Sequence, residues 1–246
     1  KFKGNRVYKL KLEAGFVKDN FGQVLETPTT LNFYMGASPK ELTSLGGEFL
    51  VLDPFGPTKL PVFTTNHKEL KVSLYAAQPT DWASFVQIRR KISEDYNYKK
   101  ETYKEPVGRL ISSEVVKLKS VDDEQIETAI DLSNAIQAGA GQVFVLIEPT
   151  EQPKEIYLRQ YIRKWVQFTN IGLDATFDNE EMLVWANSLK TGKPLAGVEI
   201  NLRTISATTG ADGIARIKLE NASPSLKDVS CLIAKLGKDT AILPPS

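Results

Sequence analysis

The sequence predicts a mainly β protein made of tandem antiparallel β-sandwich domains, with one helix in the middle domain. Two observations support this fold class: many segments alternate apolar and polar residues, and short turn signals separate them. Alternation with a period of two puts one face of a strand in a core and the other in water. Short strands with regular turns are typical of sandwiches or barrels rather than of folds that alternate strands with helices. Alternating runs are 7–12, 30–34 and 70–75, and turn signals are 19–22, 53–57, 190–194 and 210–213.

One segment departs from the strand pattern and predicts a helix over 81–98. Thr80 is a suitable helix cap, and Asp81 places a carboxylate in the first turn, where the helix dipole favours it. Apolar side chains then recur at helical spacing, at Trp82, Phe85, Val86, Ile92 and Tyr96. No residue nearby is suited to hold a cofactor, so we expect this apolar stripe to pack on a sheet of its own domain.

The segment 124–137 is open to two interpretations. It could form a second helix, or a strand over 126–132 followed by one helical turn. We favour the strand.

Two polar, proline-containing segments divide the chain, one near 36–39 and one near 148–153. Such composition is typical of linkers between domains. The first piece is too short to form an independent sandwich. It must therefore complete a domain whose other strands precede Lys1, or dock onto its neighbour. The predicted units are 1–36, 37–152 and 153–246.

The charge balance argues against a nucleic-acid partner. Lys and Arg total 31 and Asp and Glu total 30, which leaves a net charge of +1, whereas a nucleic-acid binder usually needs a concentrated basic face. The densest basic run, 89–91, is followed by Glu94 and Asp95 and is typical of a solvated helix face. No apolar run approaches the roughly 20 residues of a membrane span. The chain begins at Lys1 without a signal peptide, and we interpret it as an internal part of a longer protein.

Residues suited to catalysis or metal binding are few. His67 is the single histidine and Cys231 the single cysteine, so no zinc site of a common type can be built. We expect His67 to lie in a turn or at a strand edge. Cys231 lies in an apolar strand-like run, where burial raises the pKa of a thiol and makes it a poor nucleophile.

Three further motifs favour structural interpretations. The run 139–141 lacks the third glycine of a dinucleotide loop and precedes a strand. The acidic run 122–124 lacks the alternating ligands and central glycine of a calcium loop, and we expect a charged turn. Asn221 begins a match to the glycosylation sequon, but such three-residue matches often arise by chance. We therefore predict no catalytic, cofactor-binding or metal-binding residue and no enzymatic activity.

The last third of the chain contains the candidate structural anchors. Trp165 and Trp185 are large enough to fill the space between two sheets, and we expect both in the core of the C-terminal sandwich. Glycines permit turn geometries, a proline fixes φ at a strand entrance, and Asp-Gly suits a tight hairpin. The predicted anchors are Trp165, Trp185, Gly192, Pro194, Gly197 and Gly213.

The order and spacing of these motifs closely resemble a macroglobulin-like domain of bacterial α2-macroglobulins. That pattern has a strand ending in Val-Trp-x-x-Ser-Leu, a Gly-x-Pro-Leu-x-Gly-Val turn and strand, a Thr-x-x-x-Gly-x-Ala hairpin, and a closing strand ending in Leu-Pro. The matching segments are 165–173, 183–189, 191–200, 209–215, 232–235 and 239–244.

The resemblance extends to the rest of the chain. The middle part is similar to the preceding domain of the same proteins, at 70–76, 81–82, 130–133 and 141–145. The first 36 residues look like the end of a bacterial Ig-like domain, at 12–16 and 20–22.

The resemblance implies a protein that inhibits proteases by trapping them when a bait segment is cut. Many such proteins carry a Cys-x-Glu-Gln thioester, but Cys231 is followed by Leu-Ile-Ala, so the motif is absent here. The chain would then supply framework, with target proteases and the other domains of the same chain as partners. The resemblance also implies a periplasmic location, with membrane anchoring only through a lipid on an upstream segment.

Two other functions remain open at this level. The main alternative is a modular Ig-like surface or adhesion protein with no inhibitor role. A weaker one is a polysaccharide-processing enzyme with sandwich accessory domains.

Overall fold

The structure, a computed structural model, describes residues 2–94, 107–178, 180–219 and 231–245. Within these ranges the chain is mostly strands, which pair into five sheets. The strands are β1 (Arg6–Leu12), β2 (Thr29–Met35), β3 (Glu41–Ser44), β4 (Phe49–Leu52), β5 (Lys59–Thr65), β6 (Glu69–Ala77), β7 (Arg109–Lys117), β8 (Gln125–Asp131), β9 (Gln142–Pro149), β10 (Ile162–Phe168), β11 (Ile171–Phe177), β12 (Glu181–Ser188), β13 (Glu199–Leu202), β14 (Ile205–Thr208), β15 (Ile214–Lys218), β16 (Leu232–Leu236) and β17 (Asp239–Leu243). The helices are α1 (Trp82–Glu94) and α2 (Ser133–Gln137). None of the described helices is long and apolar enough to cross a membrane.

Residues 2–36, here called the N-terminal unit, form an antiparallel hairpin of β1 and β2. Tyr8 lies opposite Phe33 and stacks on its ring, with 5.8 Å between the ring centroids. On the same face, Leu10 lies opposite Leu31, and the two side chains are 45% and 52% exposed. The unit thus exposes an apolar face to solvent. An isolated hairpin is at best marginally stable.

Residues 41–168, here called the middle sandwich, pack a three-stranded sheet against a five-stranded one. The sheets have the orders β3-β5-β8 and β4-β10-β9-β6-β7, and all neighbours are antiparallel except β4 and β10. Alternate side chains of both sheets point inwards, as the period of two requires. Their core contains Leu60, Val62, Leu70, Val72, Leu74, Ile130, Val143, Val145, Ile147 and Val166, each at most 2% exposed.

Helix α1 packs on the outer face of the five-stranded sheet, as the apolar stripe predicted. Its buried side chains Trp82 and Phe85 join Phe144 of β9 and Trp165 of β10 in one cluster. The helix begins at Trp82, one residue later than expected, because a 3₁₀ turn that starts at Pro79, Pro79–Asp81, precedes it. Thr80 is therefore not the cap; Asp81 instead accepts a hydrogen bond of 2.8 Å from the backbone N–H of Gln78. The predicted continuation from 95 to 98, with Tyr96, lies outside the described residues.

The segment 124–137 forms strand β8 followed by the short helix α2, so the favoured interpretation is confirmed. The acidic run 122–124 is a turn before β8, also as predicted. The sequon at Asn221 lies outside the described residues.

Residues 171–243, here called the C-terminal sandwich, pack the sheets β11-β12-β15 and β14-β13-β16-β17 on one another. The core is built from small and β-branched side chains, among them Val184, Ile200, Ile217, Ala234 and Ala241. The predicted hairpin at 209–215 is corrected in one respect. The turn is tight, with Gly213 donating to the carbonyl of Gly210 at 3.0 Å, but it joins β14 to β15, which lie in different sheets.

The sheet pairing moves the boundary between the two sandwiches. The prediction placed it at 152–153, yet β10 pairs with β9 and β4 inside the five-stranded sheet. The polar, proline-containing stretch after β9 is a loop that returns the chain to its own sheet. Residues 169–170 therefore link the two sandwiches. Local composition marks loops and linkers alike, and only the long-range pairing separates them.

Lys164 of β10 is a charged residue on the inward side of the middle sandwich, and it is 3% exposed. Its ammonium group donates to the carbonyl oxygens of Leu45, Gly46 and Gly47 at 2.9, 3.2 and 2.6 Å. Burial lowers its pKa, and the three carbonyls supply the partners that a buried ammonium requires. Lys164 thus holds the loop between β3 and β4 against the sheet.

Candidate functional site

Among the described residues, no group of three or more His, Cys, Asp or Glu side chains is placed to hold a metal ion. The feature with the most elaborate geometry is the joint between the middle and C-terminal sandwiches. Its foundation is a block of four side chains on the outer face of the five-stranded sheet. Trp165 lies opposite Phe144, and Gln167 opposite Gln142. The block therefore has an aromatic half and an amide half.

The aromatic half belongs to a buried cluster that spans both sandwiches. Trp165 is 0% exposed and meets Trp82 and Phe85 of α1 edge-on, with centroid distances of 5.4 and 5.7 Å. Such edge-to-face pairs add about 0.5–1.5 kcal/mol beyond the burial of their area. From the C-terminal sandwich, Cys231 and Ile242 enter the same cluster. A continuous apolar contact thus joins helix, sheet and the second domain.

The amide half continues the backbone pairing of the C-terminal sandwich. Strand β17 is an edge strand, so the peptide groups on its outer side need other partners. Gln167 supplies both: its Oε1 accepts from the N–H of Ile242 at 2.8 Å, and its Nε2 donates to the carbonyl of Ile242 at 3.2 Å. Its side chain takes the place of a neighbouring peptide unit. Gln142 donates to the carbonyl of Thr240 at 3.0 Å.

The two halves of the block are linked by one hydrogen bond. The indole N–H of Trp165 donates to Oε1 of Gln142 at 2.7 Å, while Nε2 of Gln142 also lies 3.3 Å from Oε1 of Gln167. Both glutamines are 2% exposed. Buried polar groups that are fully paired fix one arrangement, because any shift leaves a group unpaired at about 1–3 kcal/mol.

The linker itself is clamped. Asp239, at the start of β17, accepts from the hydroxyl of Thr169 at 2.7 Å and from the backbone N–H of Asn170 at 2.9 Å. Thr169 also accepts from the N–H of Ile171 at 3.0 Å. The two residues between the sandwiches are thus held by the domain that they lead into.

A second, smaller contact lies beside the linker. The ammonium of Lys190, after β12, stands 4.3 Å from the ring centroid of Phe55, after β4. Phe55 is 64% exposed, so this cation–π contact contributes about 0.5–1 kcal/mol. It aligns the two domains without adding much to their stability.

Trp185, predicted as a core anchor, lies on the surface of the C-terminal sandwich with 36% of its area exposed. Its neighbours Val184 and Ala186 are the inward-facing residues of β12, with 0% and 2% exposure. Because successive strand residues point to opposite faces, the indole must point outwards. Trp165 is a core anchor, but in the middle sandwich and the joint rather than in the C-terminal core.

The predicted turn residues adopt the geometry that their types permit. Gly192, Gly197 and Gly213 have φ angles of +69°, +74° and +75°. Gly213 is also tightly packed: a Cβ there would lie 2.6 Å from the carbonyl oxygen of Ala186 and 2.9 Å from Cβ of Pro194. Pro194 begins the return of the chain beside β12, in a bridge with Asn187.

The two single residues with reactive side chains, His67 and Cys231, are both buried. Cys231 is buried, and burial raises the pKa of its thiol to about 11, as predicted, so the nucleophilic thiolate is scarce at neutral pH. His67 lies in the turn between β5 and β6 and is 5% exposed. Its Nε2 donates to Oε1 of Gln160 at 3.0 Å, which ties that turn to the loop before β10.

A groove of about 190 Å³ lies between α1 and the sheet, lined mainly by apolar side chains such as Phe85, Ile88 and Phe144. Arg89 and Glu48 form an ion pair of 3.1 Å at its rim. Burial lowers the pKa of Arg163 on its wall, and the guanidinium stacks over Tyr161 at 4.4 Å. Among the described residues that line the groove, the one carboxylate is that of Glu48, and it is engaged by Arg89.

Sequence reasoning did not identify Gln142, Gln167 or Asp239. A signal was present, because each glutamine follows or precedes an aromatic residue by two positions, in Gln142-Val-Phe144 and Trp165-Val-Gln167. Residues two apart share a strand face. Polar residues on the same face as large aromatic ones in otherwise apolar strands indicate a second buried surface.

Comparisons with known proteins agree with this architecture. Residues 168–246 match the family model of the bacterial alpha-2-macroglobulin MG3 domain, and this match begins where the sheet pairing places the linker. The resemblance predicted from the C-terminal motifs is thereby confirmed. No curated protein sequence matches the chain.

Solved structures of the same group share the fold. A crystal structure of native α2-macroglobulin from Escherichia coli that spans domains MG0-NIE-MG1 has a TM-score of 0.63 at 14% identity, and covers 100% of this chain and 76% of its own. One that spans NIE-MG1 has a TM-score of 0.62 at 15% identity and covers 83% of this chain and 96% of its own. A Salmonella α2-macroglobulin mutant, Y1175G, has a TM-score of 0.58 at 15% identity and covers 99% of this chain but 14% of its own. At these identities the matches establish the fold, and the chain spans about one seventh of that Salmonella protein.

Proposed function

We propose that this chain is a framework segment of a bacterial α2-macroglobulin, a protein that inhibits proteases by conformational trapping. The observation that carries the proposal is the match of residues 168–246 to the MG3 domain model, combined with a fold shared over the whole chain with α2-macroglobulin structures. In such a trap, cleavage of a bait segment elsewhere rearranges the body around the protease. The segment described here contributes rigidity to that body.

The joint between the sandwiches supports a framework role. A trap must transmit movement between distant domains, and rigidly joined domains transmit movement better than flexibly linked ones. The buried cluster around Trp165 and the paired amides of Gln142 and Gln167 oppose rotation at the joint. The linker of two residues adds no slack, because Asp239 binds both of them.

The N-terminal unit fits the end of a preceding domain. The Escherichia coli structure that includes domain MG0 covers 100% of this chain, whereas the one without MG0 covers 83%. The apolar face around Leu10 and Leu31 is exposed in the described residues and is of the kind that further strands of a sandwich cover. By resemblance, we also propose that the parent protein is periplasmic and lipid-anchored; a parent protein recovered from the cytoplasm would contradict this.

A protection assay tests the trapping proposal. The parent protein that contains this chain is incubated with trypsin, and residual activity is measured on a large protein substrate and on a small peptide. A trap encloses the protease, so cleavage of the large substrate should be lost while cleavage of the peptide remains. The 246-residue chain alone is the control, and it should leave the cleavage of both substrates unchanged.

Three outcomes would contradict the proposal. A parent protein that leaves both activities intact would favour the surface or adhesion alternative. If the parent protein inhibits the cleavage of both substrates, it is a conventional active-site inhibitor. If the isolated chain inhibits cleavage of the large substrate, trapping resides within these residues.

A further inference from the structure

The junction between the N-terminal unit and the middle sandwich is built differently from the other joint. No residue of 2–36 belongs to the buried apolar clusters of the described chain. The described contacts across it include polar ones, and the ion pair of Lys3 with Glu124 leaves the two side chains 59% and 42% exposed, so it contributes little. Some other contact must fix the orientation of the unit.

Three residues with left-handed backbone conformation converge at this junction. Asn5, Asn66 and Asp123 have φ angles of +52°, +57° and +62°. Asn and Asp tolerate this region better than other non-glycine residues, but at a cost. Asn5 precedes β1, Asn66 lies in the turn after β5, and Asp123 lies in the turn before β8. Three separate turns thus present their side chains to one point.

The carboxylate of Asp123 is the centre of that point. Its Oδ1 accepts from the backbone N–H of Ser38 at 2.6 Å and from Nδ2 of Asn66 at 3.2 Å. Its Oδ2 accepts from Nδ2 of Asn5 at 2.8 Å. One carboxylate therefore binds the N-terminal unit, the linker and the middle sandwich together.

Asn66 also binds Ser38, in the segment that connects the N-terminal unit to the middle sandwich. Its Nδ2 also donates to the carbonyl of Ser38 at 2.8 Å, and its Oδ1 accepts from the N–H of Asp123 at 2.9 Å. Both peptide groups of Ser38 are thus held from the middle sandwich. On the other side, Oδ1 of Asn5 accepts from the hydroxyl of Tyr34 at 2.7 Å, which ties Asn5 to β2.

We propose that Asp123 is a latch that fixes the angle between the N-terminal unit and the middle sandwich through its hydrogen bond with Asn5. Hydrogen bonds to a charged acceptor are short and about twice as strong as neutral ones. The donor at Ser38 N–H, with those of Asn66 and Asn5, lowers the pKa of the Asp123 carboxyl below its usual 3.8, so the acceptor is charged at neutral pH. Among the described residues, release of this contact leaves the unit attached by residues 37–40 and by the exposed pair of Lys3 and Glu124. The latch is a property of this chain, whatever function the parent protein has.

Distance measurement by double electron–electron resonance tests the latch in the 246-residue chain. Spin labels are placed at the exposed Lys9 and Glu114, with Cys231→Ala so that only the new thiols are labelled. The test variant is Asn5→Asp, which sets a second carboxylate against that of Asp123 and keeps a residue type that tolerates the backbone angle. Because Asn5 is exposed, the sandwiches should melt at an unchanged temperature.

We expect one narrow distance distribution for the unmodified chain and one about twofold wider for Asn5→Asp, because weakly held units move as independent bodies. Asn32→Asp, the same chemical change at an exposed position of β2, is the matched control and should stay narrow. The double variant Asn5→Asp with Asp123→Asn should be narrow again, since the amide of residue 123 can then donate to the carboxylate of residue 5.

The proposal is overturned by a narrow distribution for Asn5→Asp, or by an Asn32→Asp distribution as wide as that of Asn5→Asp. It is also overturned if the double variant stays wide, because the pair of residues 5 and 123 would then not be what holds the unit.

Discussion

Trp165→Ala is expected to lower the free energy of unfolding of the middle sandwich by about 3–5 kcal/mol, the usual cost of removing a fully buried large aromatic side chain. Trp165 is 0% exposed and packs on Trp82 and Phe85. Its loss also leaves Oε1 of Gln142 without its indole donor. The effect is a large share of the roughly 5–15 kcal/mol that stabilises a domain. Denaturant unfolding measured by circular dichroism gives the value directly.

Trp185→Ala is the matched control, because it removes the same side chain from a neighbouring domain. Trp185 lies on the outer face of β12 with 36% of its area exposed, and we expect a change under about 1 kcal/mol. The sequence predicted that both tryptophans lie in a core, whereas in the structure Trp165 is buried and Trp185 lies on the surface. Equal effects of the two substitutions would contradict the strand orientation described here.

Gly213→Ala is expected to destabilise the C-terminal sandwich by about 2–5 kcal/mol, from the left-handed backbone and from overpacking. Its φ is +75°, and a Cβ would lie 2.6 Å from the carbonyl oxygen of Ala186. The obstacle is backbone on one side and Pro194 on the other, so neither can swing away. Thermal unfolding of the variant measures the loss.

Gly192→Ala separates the two causes. Gly192 has a φ of +69° but nothing lies within 4 Å of an added Cβ. It should therefore cost only the backbone term of about 1–2 kcal/mol. A Gly213 variant no less stable than the Gly192 variant would show that the close approach to β12 is absent in solution.

The fold class followed from the sequence because a period of two is a local property that each strand displays by itself. Strand β8 was predicted for this reason. The helical spacing of apolar side chains such as Trp82 and Phe85 is local in the same way, and it predicted that α1 packs on a sheet. The location of the second boundary could not be predicted in the same way. The loop before β10 has the composition of a linker, and only the pairing of Trp165 with Phe144 shows that the chain has not yet left the middle sheet.

The prediction that Trp185 points into the core was wrong for a related reason. Alternation states that Val184 and Trp185 point to opposite faces, but it does not say which face is the core when both residues are apolar. The small core of the C-terminal sandwich takes Val184 and Ala186 instead. The joint was missed because its glutamines bind backbone groups of β17, some 75 residues away from Gln167. Such contacts have no local signature beyond a polar residue in an apolar strand.

The central claim is that the middle and C-terminal sandwiches form one rigid body. Residual dipolar couplings measure this most directly, since each domain reports its own alignment. Couplings from 41–168 and from 171–243 should fit a single alignment tensor with the domain orientation of the structure. Gln167→Leu, which removes both partners of Ile242, should yield two tensors of different magnitude. Two different tensors in the unmodified chain would contradict the claim and leave the chain as independent sandwiches on a flexible linker.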